Sequence, residues 1–368
     1  MAKLSTAVLD LPDGVTPDPD EFVQAGMAWH FGPETGSRFW LERAKTLEFD
    51  PRLDVKSFDD LALFPNVTDE LREVPVADLI PAGFGPEPEV VSVIESGGTT
   101  GPPKRLPLLR EFADRMVAND VEGLKSIGLS AEQNWLMLLP SGPHGALEQG
   151  RRTARALGAL VFAVDMDPRW VKKQIAAGNK NAADEYAEHI VDQAAFVLRG
   201  QDVCFLRATA PVLARIARRD ELVDLVRAKI SHISWGGASM DADSRFLYRT
   251  EIFPGARLTS GYGTTMALGT GGTERPGLSH DDPCIFDPSM SPYTTFRVVD
   301  PETGELADFG ERGQVVVNHI SKSFLLPNNR ERDTALRIRP VSAQVGDSIA
   351  DICPLAEFGG ATVIEGVY

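Results

Sequence analysis

Between Val90 and Thr265 the chain keeps switching between short apolar runs and longer amphipathic stretches, and few folds accommodate that rhythm. Val90–Ile94, Trp135–Leu139, Ala159–Val164, Val203–Leu206 and Ile230–Trp235 are apolar runs of strand length. Leu109–Leu124 carries Phe112, Met116, Val117, Val121 and Leu124 at helical spacing, and Ala210–Lys229 reads as one long helix. Alternation of this kind predicts a layered α/β domain. After Cys284 the texture changes. The β-branched runs Thr294–Val299 and Gln314–Ile320 flank Asp300-Pro301-Glu302-Thr303-Gly304, a turn sequence. The expected division is an acidic N-terminal extension over 1–35, an α/β core over 36–283 and a β-rich subdomain over 284–368. Within the extension, residues 9–22 are rich in Asp and Pro and are expected to be extended or mobile. Ser37–Leu47 predicts a helix, and Ser57 is placed to cap a short one starting near Asp59. No Pro/Gly/Ser linker separates the parts, so they are expected to share an interface.

The formal charge of −16 argues against nucleic acid or an anionic membrane as partner, since either would want a basic face. In so acidic a chain, any bound phosphate needs locally placed donors. No apolar run approaches the roughly 20 residues of a membrane helix. Met1-Ala2-Lys3-Leu4-Ser5 lacks the apolar core of a signal peptide, so a cytoplasmic location is expected. Cys204, Cys284 and Cys353 match neither a zinc pattern nor a disulfide framework and are read as reduced thiols.

Directly after Val90–Ile94 comes Glu95-Ser96-Gly97-Gly98-Thr99-Thr100-Gly101-Pro102-Pro103-Lys104. A turn of this composition can wrap phosphate oxygens with backbone N–H groups, hydroxyls and one cation. It is not a Walker loop, because Lys104 lies between Pro103 and Arg105. Nor do Gly97, Gly98 and Gly101 fit the dinucleotide fingerprint.

The segment resembles the S-G-T-T-G-x-P-K loop of adenylate-forming enzymes, with Gly97 where that family usually has serine. Ser260-Gly261-Tyr262-Gly263-Thr264-Thr265 looks like the family's Y-G-x-T-E motif. Trp235-Gly236-Gly237-Ala238-Ser239 resembles its Gly-Gly-Ala/Glu turn, and Val345-Gly346-Asp347 its T-G-D segment. The region of Asp59–Leu61, Pro65 and Leu71-Arg72 looks like the N-terminus of phenylacetate–CoA ligases. The resemblance covers roughly residues 36–350. It implies the large N-terminal domain of these enzymes and ATP-dependent activation of a carboxylic acid. The acid would attack the α-phosphate, forming an acyl-adenylate and expelling pyrophosphate.

The resemblance also implies roles. Ser96, Gly98, Thr99, Thr100, Gly101 and Lys104 would hold the outer phosphates, and Thr265 the α-phosphate. Gly237, Ala238 and Tyr262 would border adenine, with Tyr262 stacked on it. Asp347 is preferred over Asp333 for the ribose hydroxyls. His144, Trp235, Gly236, Gly261 and Gly263 would line the acyl pocket. His30, His189, His232, His280 and His319 form no ligand cluster and are read as structural.

Two departures matter. Met266 stands where the motif's glutamate contacts Mg²⁺, and a thioether is a poor ligand for a hard cation. Mg²⁺ would then be held through phosphates and water, or by another acid such as Glu274. The second departure is that the sequence ends at Tyr368, soon after Asp347, where the family's mobile C-terminal lid domain would follow. A lidless enzyme would expose the adenylate to a small amine or hydroxyl, or to a second acid. The likeness to phenylacetate–CoA ligases suggests an aromatic acid. The proportions are similar to short aryl-acid ligases of benzoxazole antibiotic pathways. The alternatives are a thioester ligase using coenzyme A or a carrier protein, completed by a separate partner, and a non-catalytic adenylate-binding protein. A self-acylating synthetase is disfavoured, because Cys204 sits in an apolar run.

Overall fold

The computed structural model describes residues 6–12, 14–97, 101–129, 131, 133–279 and 282–355, with the backbone of 357–358 and 361–362. Strands β1 (Val90–Glu95) and β2 (Arg105–Leu109) form an antiparallel pair of their own. An 11-stranded sheet organises the remainder. Its strands are β3 (Trp135–Leu138), β4 (Val161–Ala163), β5 (Phe205–Ala208), β6 (His232–Gly236), β7 (Arg257–Gly263) and β8 (Gly271–Glu274). They continue with β9 (Ile285–Pro288), β10 (Thr294–Val299), β11 (Arg312–Ile320), β12 (Leu325–Ile338) and β13 (Ser348–Pro354). The helices are α1 (Pro19–His30), α2 (Arg38–Ala44), α3 (Pro51–Asp54), α4 (Arg110–Ser126) and α5 (Gly145–Ala156). They are followed by α6 (Pro168–Ala176), α7 (Lys180–Gly200), α8 (Ala210–Ile216), α9 (Asp220–Lys229) and α10 (Ala242–Leu247).

Strands β4, β3, β5, β6 and β7 lie side by side and parallel. β3 is apolar and buried at every position, as a strand covered on both faces is, while β6 and β7 alternate. Ile190, Val191, Ala194 and Leu198 of α7, with Val212, Leu213 and Val226 of α8 and α9, cover one face at Leu136, Leu138 and Leu206. Leu147 and Ala154 of α5 pack with Trp135, Met137 and Phe205. Beyond β7 the sheet turns antiparallel through β8, β9, β13, β12, β11 and β10. The same sheet therefore runs straight across residue 284, where the composition changes.

Three local expectations are corrected. Residues 9–22 are not extended throughout: Leu9 and Phe22 are fully buried, and α1 already begins at Pro19. Asp18 starts that helix by accepting from the Asp20 and Glu21 N–H groups, both at 3.0 Å, with proline at the first position. Phe22, Val23 and Met27 then join Trp40, Phe64, Ile320 and Phe324 in a second core. The Trp29 and Trp40 indole N–H groups donate to the Lys322 and Leu325 carbonyls at 2.9 and 3.0 Å. Second, Ala210–Lys229 is two helices. Ile216 and Leu222, both buried, lie six positions apart, roughly 120° out of phase on a continuous helix. The extended backbone at Arg219 restores both to the core. Third, Ser57 does not cap. The short helix Asp59–Leu63 has no side-chain cap, and Asp60 reaches back out of it to accept from the Lys56 and Ser57 N–H groups at 3.0 and 2.8 Å.

Among the described residues, no helix is long and apolar enough to cross a membrane.

Candidate functional site

Strand β7 has a parallel neighbour on one side and an antiparallel one on the other. In α/β sheets ligands bind beyond the carboxyl ends of the parallel strands, and Gly263 is the carboxyl end of β7. A cavity of about 170 Å³ opens there. It is lined by Gly263, Thr264, Thr265 and Met266 after β7, by Asn329–Asp333 of β12, and by Ser96, Gly97 and Lys104 at the mouth of the β1–β2 hairpin. Thr68 and Arg72 close it from the N-terminal part.

The hairpin is pinned at both ends. The Ser96 N–H donates to the Lys104 carbonyl at 3.0 Å, and the Lys104 N–H donates to Ser96 Oγ at 2.9 Å. Arg72 donates to the Pro102 carbonyl. Arg169 of α6 donates to Glu95 and, at 3.3 Å, to the Ser96 carbonyl. Gly101 has φ +139°, and a methyl group there would stand 3.3 Å from Arg72. Glycine is therefore required by conformation and by contact. Gly98, Thr99 and Thr100 lie outside the described residues, as does His280.

Inside the cavity the charges are poorly matched. Lys104 is only 8 % exposed. Burial lowers its pKa and neighbouring Arg72 lowers it further, while Asp69, 3.8 Å away, and Glu331 oppose them. Burial and the nearby Asp333 push the Glu331 carboxyl up. Glu331 Oε1 accepts from Thr264 Oγ1 and Asn329 Nδ2, both at 2.7 Å. Tyr262 donates to Asp333 at 3.0 Å, and burial raises its phenol well above the ordinary value.

Of the expected site residues, Ser96, Lys104, Gly263 and Thr265 line this cavity, and Tyr262 reaches it through Asp333. Asp347 does not line it. Its carboxylate accepts from Arg337 Nε at 2.9 Å and from the Val298 N–H at 3.3 Å, and it is buried with that arginine as an internal tie. Asp333, the aspartate placed second from sequence, is the one at the cavity. Gly236 and Gly261 are register partners on β6 and β7, and a methyl at Gly236 would stand 2.6 Å from the Gly261 carbonyl oxygen. Gly237 follows with φ +77°. Ala238 and Trp235 pack into the main core, and His144 precedes α5, half-buried near Arg169 and Glu95. None of Trp235, Gly236, Gly237, Ala238, Gly261 and His144 lines the cavity.

Glu274 is committed elsewhere. It accepts from the Ser260 N–H and Oγ at 2.8 and 2.9 Å and from Arg249 at 2.7 Å. Among the described residues no three carboxylate, histidine or cysteine groups cluster as metal ligands. The cavity's hard oxygen donors, Glu331, Asp333, Thr264 and Thr265, still suit a Mg²⁺ that arrives on phosphate. Sequence reasoning missed Thr68, Arg72, Asn329 and Glu331. Only the Arg330-Glu331-Arg332-Asp333 run carried a signal, as charge crowded into a strand otherwise fit for a core.

No family model matches the sequence, and no curated protein matches it. Solved structures do. An open conformation of 2-hydroxyisobutyryl-CoA ligase, in complex with 2-HIB-AMP and CoA, is similar with TM-score 0.62 and 14 % identity, over 94 % of this chain and 74 % of that one. The same ligase in its thioesterification state gives 0.61 and 12 %, over 90 % of this chain and 66 % of that one. At this identity the likeness establishes the fold alone, a mixed α/β fold that this chain shares with those ligases. The chain spans about two thirds to three quarters of those ligases.

Proposed function

We propose that this protein is an ATP-dependent acid ligase that converts a carboxylic acid to its acyl-adenylate and releases pyrophosphate. The observation that carries the reading is the joining of Lys104, Thr265 and the Tyr262–Asp333 pair around one cavity at the end of β7. A carboxylate and a triphosphate repel each other, so the site must align two anions and offset their charge with preorganised donors. Ser96 and Lys104, with the loop at 98–101, take the outer phosphates. Thr265 donates to the α-phosphate. Tyr262 borders adenine with Gly237 and Ala238, and Asp333 accepts from the ribose hydroxyls. Mg²⁺ would supply charge neutralisation on the phosphates, and Glu331 and Asp333 are the cavity acids that would order its water shell.

The acid is proposed to be aromatic, of the benzoate or hydroxyanthranilate kind. In support, Trp235 and His144 stand beside the β6 and α5 ends, and the buried Trp235 indole N–H has no acceptor among the described residues. A polar ring substituent would supply one. The acceptor is proposed to be a small amine or hydroxyl. A thioester reading competes with it, because the structural neighbours were solved with CoA bound. Incubation with ATP, Mg²⁺ and a panel of acids is expected to release pyrophosphate with a benzoate-type member. Absence of release with every acid of the panel would contradict the proposal, and product analysis with and without coenzyme A separates the two acceptors.

A further inference from the structure

The central strands of the large sheet are sealed on one face and open on the other. Leu206, Ile233 and Leu258 are buried in the core under α7, α8 and α9. Arg207, Ser234 and Thr259 alternate with them on the opposite face, and all three keep partial access to solvent. They are register partners, so they form a polar row across β5, β6 and β7. Exposure inside an 11-stranded sheet requires a cleft above that row. Beside it, Leu147 and Ala154 of α5 close the same face over Trp135 and Met137 of β3.

Arg207 is a charge set into a strand otherwise fit for a core. Burial lowers its guanidinium pKa, and the charge of Asp120 on α4 opposes that. Asp120 Oδ2 accepts from Gln149 Nε2 at 2.9 Å and from Thr153 Oγ1 at 3.1 Å, both on α5. Among the described residues Arg207 makes no hydrogen bond and no ion pair, and none of its nitrogens is sealed from solvent. Its donors therefore turn into the cleft. A guanidinium has five of them, and holding them below the surface without an acceptor is unfavourable.

Between the polar row and the cavity the floor carries no side chains. Gly261 and Gly263 follow Thr259 on the same face of β7, and Gly236 follows Ser234 on β6. A methyl group at Gly261 would meet nothing nearer than the Gly272 carbonyl oxygen at 3.8 Å, so packing does not demand glycine there. Glycine keeps the floor clear instead. Gly263 lines the cavity. Thr259 lies four residues behind it, about 13 Å, and Arg207 lies two strands beyond Thr259, about 10 Å to the side. The long Arg207 side chain spans part of that separation, and an acid about one ring long spans the rest.

We infer that Arg207 determines which acid is used: with its reacting carboxylate in the cavity at Gly263, the acid lies along the glycine floor and presents a second oxygen, of a hydroxyl or a second carboxylate, to the guanidinium. The inference rests on the reading of the cavity as an acid-adenylating site. A site built to bond a substrate oxygen rejects the analogue that lacks it, because its own donor is then left unpaired. Trp235 packs on the other side of β6 and takes no part.

Pyrophosphate release by the full chain with ATP and Mg²⁺ tests this, with benzoate, the hydroxybenzoates and the benzenedicarboxylates as acids. The wild type is expected to prefer one oxygen-substituted acid over benzoate by about tenfold or more in kcat/KM. A hydroxybenzoate in that place assigns the hydroxyl, and a dicarboxylate assigns the carboxylate. Arg207→Met is expected to abolish the preference, chiefly through the KM for the acid, while the KM for ATP and the kcat/KM for benzoate change by less than about twofold. Arg207→Lys should recover part of it. Because Arg207→Met also strips Asp120 of its cation, the double variant Arg207→Met with Asp120→Asn is the second arm. It should melt near the wild type and still lack the preference. Gly261→Ala puts a methyl group on the floor and should raise the KM for every acid several-fold, with ATP affinity by calorimetry within about twofold. A preference restored in the double variant would mean that Arg207 serves only Asp120, and would overturn the inference. So would benzoate used as well as every substituted acid, an unchanged acid KM in Gly261→Ala, or a preference lost with Trp235→Phe and kept with Arg207→Met. Release with no acid of the panel defeats the adenylation reading itself; release that ignores Arg207 defeats only this inference.

Discussion

Strands β11 and β12 pass through two polar environments that could hardly differ more. Near their hairpin, His319 bonds Ser321 Oγ at 2.9 Å and Thr294 Oγ1 at 3.3 Å, while His30 bonds the Ser321 carbonyl at 2.6 Å. That knot is buried and neutral, and of its ring nitrogens only His30 Nδ1 lacks a partner among the described residues. A few residues along β12, Asn329–Asp333 face a cavity where Lys104 is held below its ordinary pKa and Glu331 above it. The first region stabilises the fold. The second keeps charges that the protein itself does not fully neutralise, as sites that bind charged ligands do.

The sharpest break between the two is Lys104→Ala. It is expected to cut acid-dependent pyrophosphate release by about 100-fold or more, the scale for losing a preorganised electrostatic donor. The fold should survive, as circular dichroism would show. Near-wild-type release would remove Lys104 from the site.

Next comes the pair Asp333→Asn and Asp347→Asn. Asp333→Asn should raise the KM for ATP about tenfold, with little change in melting temperature. Asp347→Asn should do the reverse, lowering the melting temperature with little effect on ATP, because it weakens the tie from Asp347 to Arg337 and the Val298 N–H. Equal effects of the two variants on ATP would contradict the placement of the ribose at Asp333.

The neutral knot predicts a pH dependence of stability. Burial lowers His30 to about 4 and His319 to about 3, His319 also through His30. The unfolded chain protonates both near 6.5, so their stabilisation is complete above that pH and is lost as pH falls from there toward 3. Acid unfolding followed by fluorescence should show a steep loss over this window. His319→Gln should flatten it, by roughly 2–3 kcal/mol at its lower end. An unchanged acid limb would show that the knot does not drive acid unfolding.

The smallest effect is expected on the surface. Arg219 bridges Asp192 at 2.6 Å and also pairs with Glu188, while Arg215 bridges Asp184 at 2.7 Å. Those charges are matched and solvated. Arg219→Ala should cost about 0.5 kcal/mol by urea unfolding and leave ATP affinity unchanged.

Much of this was legible in sequence because it was local. The alternation of apolar runs located every parallel strand except β7, which the motif around Tyr262 marked instead. Glycine and threonine at 96–101 announced the loop. What was not legible is long-range. Asp347 and Asp333 look alike as sequence, each a short step after arginine or glycine. Only the sheet separates them, setting Asp347 against Phe296 of β10 and Arg337, and Asp333 of β12 against Tyr262. The N-terminal segment reads as acidic and Pro-rich, yet it places Leu9, Phe22, Met27 and Phe31 into a core completed by Phe324 and Leu325. The departure at Met266 is clear in sequence, but Glu331 becomes its neighbour only through the sheet.

The central claim is that the cavity at the end of β7 holds an adenylate. A crystal structure of the protein with ATP, Mg²⁺ and a benzoate-type acid tests it most directly. The account predicts an acyl-adenylate or ATP with its ribose on Asp333, adenine beside Tyr262 and phosphates running toward Lys104. A nucleotide bound elsewhere, or with its ribose on Asp347, would contradict it.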